Sequence, residues 1–129
     1  MSGCLLDTNV VLLATVRSSS LPAKVRHAIR SGPNYVSVVS YWEVMLKSTK
    51  GNLKVGDPRA WWSDALDQMA ATPLSLNAEH IGAIYALPPI HQDPFDRVLI
   101  AQAMIEDLAL VSTDGQIGQY ASERLRVIR

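Results

Sequence analysis

Apolar positions along this chain follow two alternating rhythms. Short, almost wholly apolar runs at 4–6, 35–37 and 108–112 have the length and composition of buried strands, and 73–76 and 126–128 are two further candidates. The longer stretches between them have helical spacing. Helices are expected at 8–15, 23–31 and about 39–50, and from Asp57-Pro58 through Trp61, Leu66 and Met69. A short one follows Asn77 as far as Tyr85, and a long one runs from Asp93-Pro94 through Val98, Leu99, Ala101, Ala103 and Ile105. The punctuation agrees. Gly32-Pro33 ends one helix, Gly51 caps another, and Asp57-Pro58 and Asp93-Pro94 each place a capping acid before a first-turn proline. Ser18-Ser19-Ser20-Leu21-Pro22 and Pro88-Pro89 are breaks.

Strands alternating with helices imply right-handed crossovers and a mostly parallel sheet flanked by helices, an α/β fold. In open parallel sheets, sites form outside the carboxyl ends of the strands. Asp7 and Asp114 both fall there, each directly after an apolar run.

Composition narrows the function classes. The 129 residues, 48% of them hydrophobic and 19% charged, suit one globular domain spanning 1–129. Twelve basic residues balance twelve acidic ones, so any nucleic-acid contact must rest on a local patch. Lys47, Lys50, Lys54 and Arg59 are the local candidate, against the ordinary reading of a solvated face. The single cysteine, Cys4, excludes a disulfide framework and reads as a small core residue. There is no signal-peptide pattern at the start and no membrane-length apolar segment, which makes the cytoplasm the expected location. His27, His80 and His91 lack zinc-ligand spacing. His91 lies close to Asp93 and could touch the site, but a loop histidine is more often simply solvated. No Gly-rich phosphate loop or G-x-S-x-G elbow is present.

Four acids carry the chemistry: Asp7, Glu43, Asp96 and Asp114. Each has an ordinary explanation. Asp7 can cap a helix. Glu43 stands three residues after Ser40, the spacing of a capping box, but Ser37 could equally be the cap and leave Glu43 deeper in the helix. There, amid Tyr41, Trp42, Val44, Met45 and Leu46, a glutamate would need a partner, and a cation is one candidate. Asp93 is the best simple cap, which leaves Asp96 in the first turn beside the helix dipole. Arg97 is either a solvated charge or a phosphate contact. Asp114-Gly115 is a common turn pair. Four separate caps need not converge, whereas carboxylates gathered at one sheet edge repel each other unless a cation holds them. Oxygen ligands of this kind suit Mg²⁺ or Mn²⁺. Such ions can activate water toward a phosphodiester.

The segments Leu5-Leu6-Asp7-Thr8-Asn9, Ser37-Val38-Val39-Ser40-Tyr41-Trp42-Glu43-Val44, His91-Gln92-Asp93-Pro94-Phe95-Asp96-Arg97-Val98-Leu99-Ile100-Ala101-Gln102-Ala103 and Leu110-Val111-Ser112-Thr113-Asp114 resemble, in order and spacing, those of the PIN-domain ribonucleases. Within that family they look most like VapC-like toxins of bacterial toxin–antitoxin pairs. The resemblance implies a PIN-like three-layer fold and a four-acid metal site of Asp7, Glu43, Asp96 and Asp114. Asp93 is at most an auxiliary acid there, and Thr113 a possible water or metal contact. It further implies Mg²⁺- or Mn²⁺-dependent hydrolysis of RNA by a metal-activated water, a homodimer, and a small VapB-like antitoxin that occludes the site. The rival from another class is a catalytically weak or inactive module that engages an antitoxin through its acidic pocket.

Overall fold

The computed structural model describes residues 3–16, 18–122 and 124–129. Among them, β1 (Cys4–Leu6), β2 (Asn34–Ser37), β3 (Ala71–Leu74), β4 (Ala109–Val111) and β5 (Val127–Ile128) form one sheet. The spatial order is β3-β2-β1-β4-β5, and every adjacent pair is parallel. The first half of the chain therefore builds outward from β1 to β3. The chain then crosses back to lay β4 on the other side of β1. That reversal opens a crevice above the carboxyl ends of β1 and β4.

Strand alternation assigns the two cores. Cys4, Leu6, Val36, Ala109 and Val111 face one way, Leu5, Tyr35 and Leu110 the other. On the first face pack α1 (Thr8–Val16), α2 (Ala23–Ser31) and α4 (Pro58–Met69), through Val10, Val11, Val25, Ala28, Trp61, Ala65 and Met69, with Leu21 added from the link before α2. The second face is covered by α6 (Pro94–Glu106) with α5 (Ala78–Ala83) and the short α7 (Gly115–Gly118), through Leu99, Ile100, Ala103, Ala83 and Ile117. α3 (Val38–Thr49) sends Val44 into the first core and packs against both α4 and α6. This is the expected three-layer α/β arrangement. No helix among the described residues is long and apolar enough to cross a membrane.

Element boundaries shift where local chemistry outweighs periodicity. The third strand spans Ala71–Leu74, two residues ahead of the expected 73–76, because Ala70 takes a left-handed conformation (φ 48°) and turns the chain out of α4 at once. Pro73 then lies inside a strand, which is tolerated because β3 is at the sheet edge. The expected stripe Trp61, Leu66 and Met69 is centred on Trp61, Ala65 and Met69, with Leu66 at its margin. The helix after Asn77 tightens into a 3₁₀ turn at Ile84–Ala86. Its His80 is not solvated. The ring is fully buried, accepts the Asn77 N–H at Nδ1 (3.2 Å) and meets Glu106 Oε2 at 2.9 Å, joining α5 to the far end of α6.

Candidate metal centre

Asp7 sits in the crevice because β1 ends there and α1 begins. Its N–H donates to Val111 C=O at 2.9 Å and its C=O receives the Val11 N–H at 3.0 Å, so the backbone ties β1, β4 and α1 together. The carboxylate, on a residue only 2% exposed, accepts the Ser112 hydroxyl at 2.7 Å. Burial raises its pKa. The Ser112 and Thr8 hydrogen bonds oppose that rise, while the charges of Glu43 and Asp114 reinforce it.

Glu43 is not part of a capping box. Ser37 is the N-cap of α3, accepting the Val39 N–H at 3.0 Å, and the Ser40 hydroxyl instead meets the Thr8 hydroxyl at 2.8 Å. Starting the helix at Val38 carries Glu43 almost two turns in, where it is buried. One carboxylate oxygen, Oε2, takes the Lys47 ammonium at 2.8 Å from the next turn. The other, Oε1, is buried with no hydrogen-bond partner. A buried anionic oxygen left this way is costly and invites a cation.

Asp93 caps α6, accepting the N–H groups of Phe95 (2.9 Å) and Asp96 (3.4 Å). This leaves the Asp96 carboxylate free for the crevice. Burial, then the charges of Asp7 and Asp93, push its pKa up to about 7, with Glu43 adding to the rise and His91 opposing it. Asp114 caps α7 through the Gln116 N–H at 2.8 Å, so the expected Asp-Gly turn is the head of a one-turn helix. Desolvation raises its pKa, but hydrogen bonds from His91 and the Gln116 and Ile117 amides outweigh that and leave it lowered. Ser112 connects the two strand-end acids, since its Oγ also receives the Asp114 N–H at 3.0 Å.

Of the two readings open for His91, a solvated loop residue or a contact with the site, the structure has the second, and the ring lies at the centre. Its Nε2 is 2.9 Å from Asp96 Oδ2 and 3.0 Å from Asp114 Oδ2. One nitrogen or oxygen atom from each of these three residues falls within 4.8 Å of the others, so His91 sits between two carboxylates close enough to share one ion. The sequence signal was a histidine two residues ahead of an Asp-Pro cap, close enough to fold back over the helix start.

Arg97, expected as a substrate-phosphate contact, is occupied elsewhere. Its Nη1 donates to Pro88 C=O (3.1 Å), His91 C=O (3.3 Å) and Tyr120 Oη (3.4 Å), and its Nη2 to Ile84 C=O (3.3 Å). The guanidinium clamps the 84–91 segment rather than presenting its charge to solvent. Thr113 is exposed between β4 and α7, and Ser112 rather than Thr113 supplies the hydroxyl that reaches Asp7. Of the basic stretch, Lys47 is held by Glu43 and Arg59 by Asp57, while Lys50 and Lys54 are exposed past the C-terminal end of α3, the end away from Ser37 and the strand ends.

The structure thus brings all four acids to one sheet edge. Their charges act on one another, and each of Asp7, Glu43 and Asp96 is buried. An apolar cavity of about 570 Å³, lined by Cys4, Ala23, His27, Ala28 and Ile128, lies against α2 and holds none of them. Charge chemistry, not volume, marks the crevice. Such a set can hold a hard divalent cation.

The PIN domain family model matches residues 4–123. No curated protein matches the chain in sequence. Among solved structures the chain is similar to VapBC2 from Rickettsia felis bound to a DNA fragment from its promoter, with 14% identity over 100% of both chains and a TM-score of 0.71. It is also similar to DNA-bound VapBC from Salmonella typhimurium (14% identity, 98% of this chain and 97% of that one, TM-score 0.67). FitAcB from Neisseria gonorrhoeae is a third (18% identity, 98% and 96%, TM-score 0.64). At these identities the likeness establishes the fold alone.

Proposed function

The chain belongs to the PIN-domain family, and from that premise we propose that it is a Mg²⁺- or Mn²⁺-dependent endoribonuclease, the toxin of a VapBC-type pair. The observation that carries the reading is the convergence of Asp7, Glu43, Asp96 and Asp114 above the carboxyl ends of β1 and β4, with Glu43 Oε1 buried and unpartnered.

The donor set fits the ion. Carboxylate oxygens are the preferred ligands of Mg²⁺ and Mn²⁺, and a divalent charge would offset both the burial and the neighbouring acids that push the Asp96 carboxyl up to about 7. Asp7, Asp96 and Asp114 would hold the metal, with Glu43 as a further ligand or the group that orients the attacking water. When bound, the ion would lower the pKa of water and offset charge on the phosphodiester. The residues themselves orient and exclude. Ser112 fixes the Asp7 carboxylate, Lys47 fixes one Glu43 oxygen, and Asp93 serves as helix cap, its auxiliary part being to leave Asp96 unencumbered. Arg97 would serve by shaping the crevice wall, and Thr113 is exposed beside Asp114, where substrate could meet it.

The partners follow from the same reading. RNA is the proposed substrate, a small VapB-like antitoxin the proposed inhibitor, and a homodimer of the single 1–129 domain, in the cytoplasm, the proposed state. Val38 and Trp42 are exposed on α3 and, with Tyr41 and Met45, line a shallow apolar pocket of about 220 Å³, a surface a protein partner could cover.

Purified protein incubated with total RNA and Mg²⁺ or Mn²⁺ tests this directly. Cleavage should occur, stop in EDTA, and be absent in Asp96→Asn. RNA left intact by the wild-type protein in both metals would favour the binding-module rival, and full activity in EDTA would remove the metal.

A further inference from the structure

We propose that His91 is a positioning residue for the cation site, tying Asp96 to Asp114 so that both carboxylates are held at the spacing a single ion needs. The inference rests on the metal-dependent reading above and adds to the four-acid set a residue that is not an acid.

The argument begins with the tautomer. The Asp93 N–H points at His91 Nδ1 (3.2 Å), and an amide nitrogen can only donate. Nδ1 is therefore the acceptor and Nε2 carries the proton. That proton is shared between Asp96 Oδ2 at 2.9 Å and Asp114 Oδ2 at 3.0 Å. With one ring nitrogen accepting and the other protonated, no lone pair is left for a metal. His91 thus acts on the ion through the two acids.

The placement of His91 is independent of its side chain. Its N–H donates to Tyr120 Oη at 2.8 Å and its C=O accepts from Arg97 Nη1 at 3.3 Å. Tyr120 Oη donates in turn to Pro88 C=O at 2.9 Å. The imidazole hangs from a clamped backbone with its donor aimed between two carboxylates that come from α6 and from the β4–α7 junction. Nothing else described joins those two side chains. Hydrogen-bond partners of metal-binding groups commonly change metal affinity by about 10–100-fold when removed.

The test titrates Mn²⁺ into the protein without RNA, following the free-ion electron paramagnetic resonance signal. Wild type should bind. His91→Ala should bind about tenfold or more weakly, and His91→Gln should recover most of the loss, because its amide NH₂ can donate to both carboxylates. Equal or tighter binding by His91→Ala overturns the proposal while leaving the metal reading intact. So does His91→Gln binding as weakly as His91→Ala. A nitrogen hyperfine coupling to Mn²⁺ in wild type that vanishes in His91→Gln would make His91 a ligand and also overturn it. Wild type that binds no Mn²⁺ sinks both readings.

Discussion

Replacing Asp96 by asparagine should stabilise the metal-free protein, and only above the acid range. Burial, then the charges of Asp7 and Asp93, raise this carboxyl from its ordinary 3.8 to about 7. A group whose folded pKa is raised favours the fold while protonated. That contribution is intact below about pH 4 and is lost progressively as pH climbs through 7. A shift of roughly three units corresponds to about 4 kcal/mol at most, since one unit is about 1.4 kcal/mol. The titration is shared with Asp7, whose carboxyl is raised as well, and relaxation trims the total, so about 2–4 kcal/mol is expected above pH 7. Asparagine keeps the shape of the protonated acid and cannot ionise. In EDTA the variant should therefore match wild type near pH 4 and melt roughly 6–12 °C higher at pH 8, at about 3 °C per kcal/mol for a domain of this size. Saturating Mn²⁺ should narrow or reverse the order, because only wild type keeps the full site and gains binding free energy. Melts followed by circular dichroism at both pH values, with and without metal, make the comparison. Parallel pH profiles, or a variant that melts below wild type at pH 8 in EDTA, would refute the claim that crowded buried charge strains the empty crevice.

Other residues give separable outcomes. Ser112→Ala removes the 2.7 Å hydroxyl from buried Asp7. It should cost about 1–3 kcal/mol of stability in urea melts and weaken Mn²⁺ binding, since the Asp7 carboxyl rises further. Arg97→Ala frees the carbonyls of Ile84, Pro88 and His91. Stability should fall by about 2–4 kcal/mol with no change in the salt dependence of RNA binding, whereas loss of a phosphate contact would lower that slope by about one. His80→Leu leaves the Asn77 N–H and Glu106 without their partner. It should destabilise by about 1–3 kcal/mol while leaving Mn²⁺ affinity unchanged, read by urea melts and metal titration on the same preparation.

The sequence made the layers legible because each strand and helix carries its own periodic signal. All five expected strands form, and Asp93 caps as its place before Pro94 requires. The site was legible as a set of acids but not as a geometry. Whether Glu43 is a cap or a buried charge turns on which of two serines three residues apart, Ser37 or Ser40, is the cap, which local propensity cannot decide. Arg97 was misplaced because most of its acceptors are main-chain carbonyls, which leave no mark in the side-chain pattern. His91 could be suspected but not assigned, because a loop has no periodicity and its role depends on an Asp114 that lies 23 positions away.

β1 is the middle strand of the sheet, and the hydrogen bond that fixes the Asp7 carboxylate comes from a serine 105 positions later. A ribosome must therefore deliver the chain past Val111 before β1 has a neighbour on both edges, and past Asp114 before Asp7 meets Ser112 and Asp114. Until then the N-terminal part holds Asp7 and Glu43 without the acids that complete the set. Read as a nuclease, a nascent or prematurely terminated copy that stops short of Asp96 and Asp114 lacks half of the acid set and is inert toward the message that encodes it.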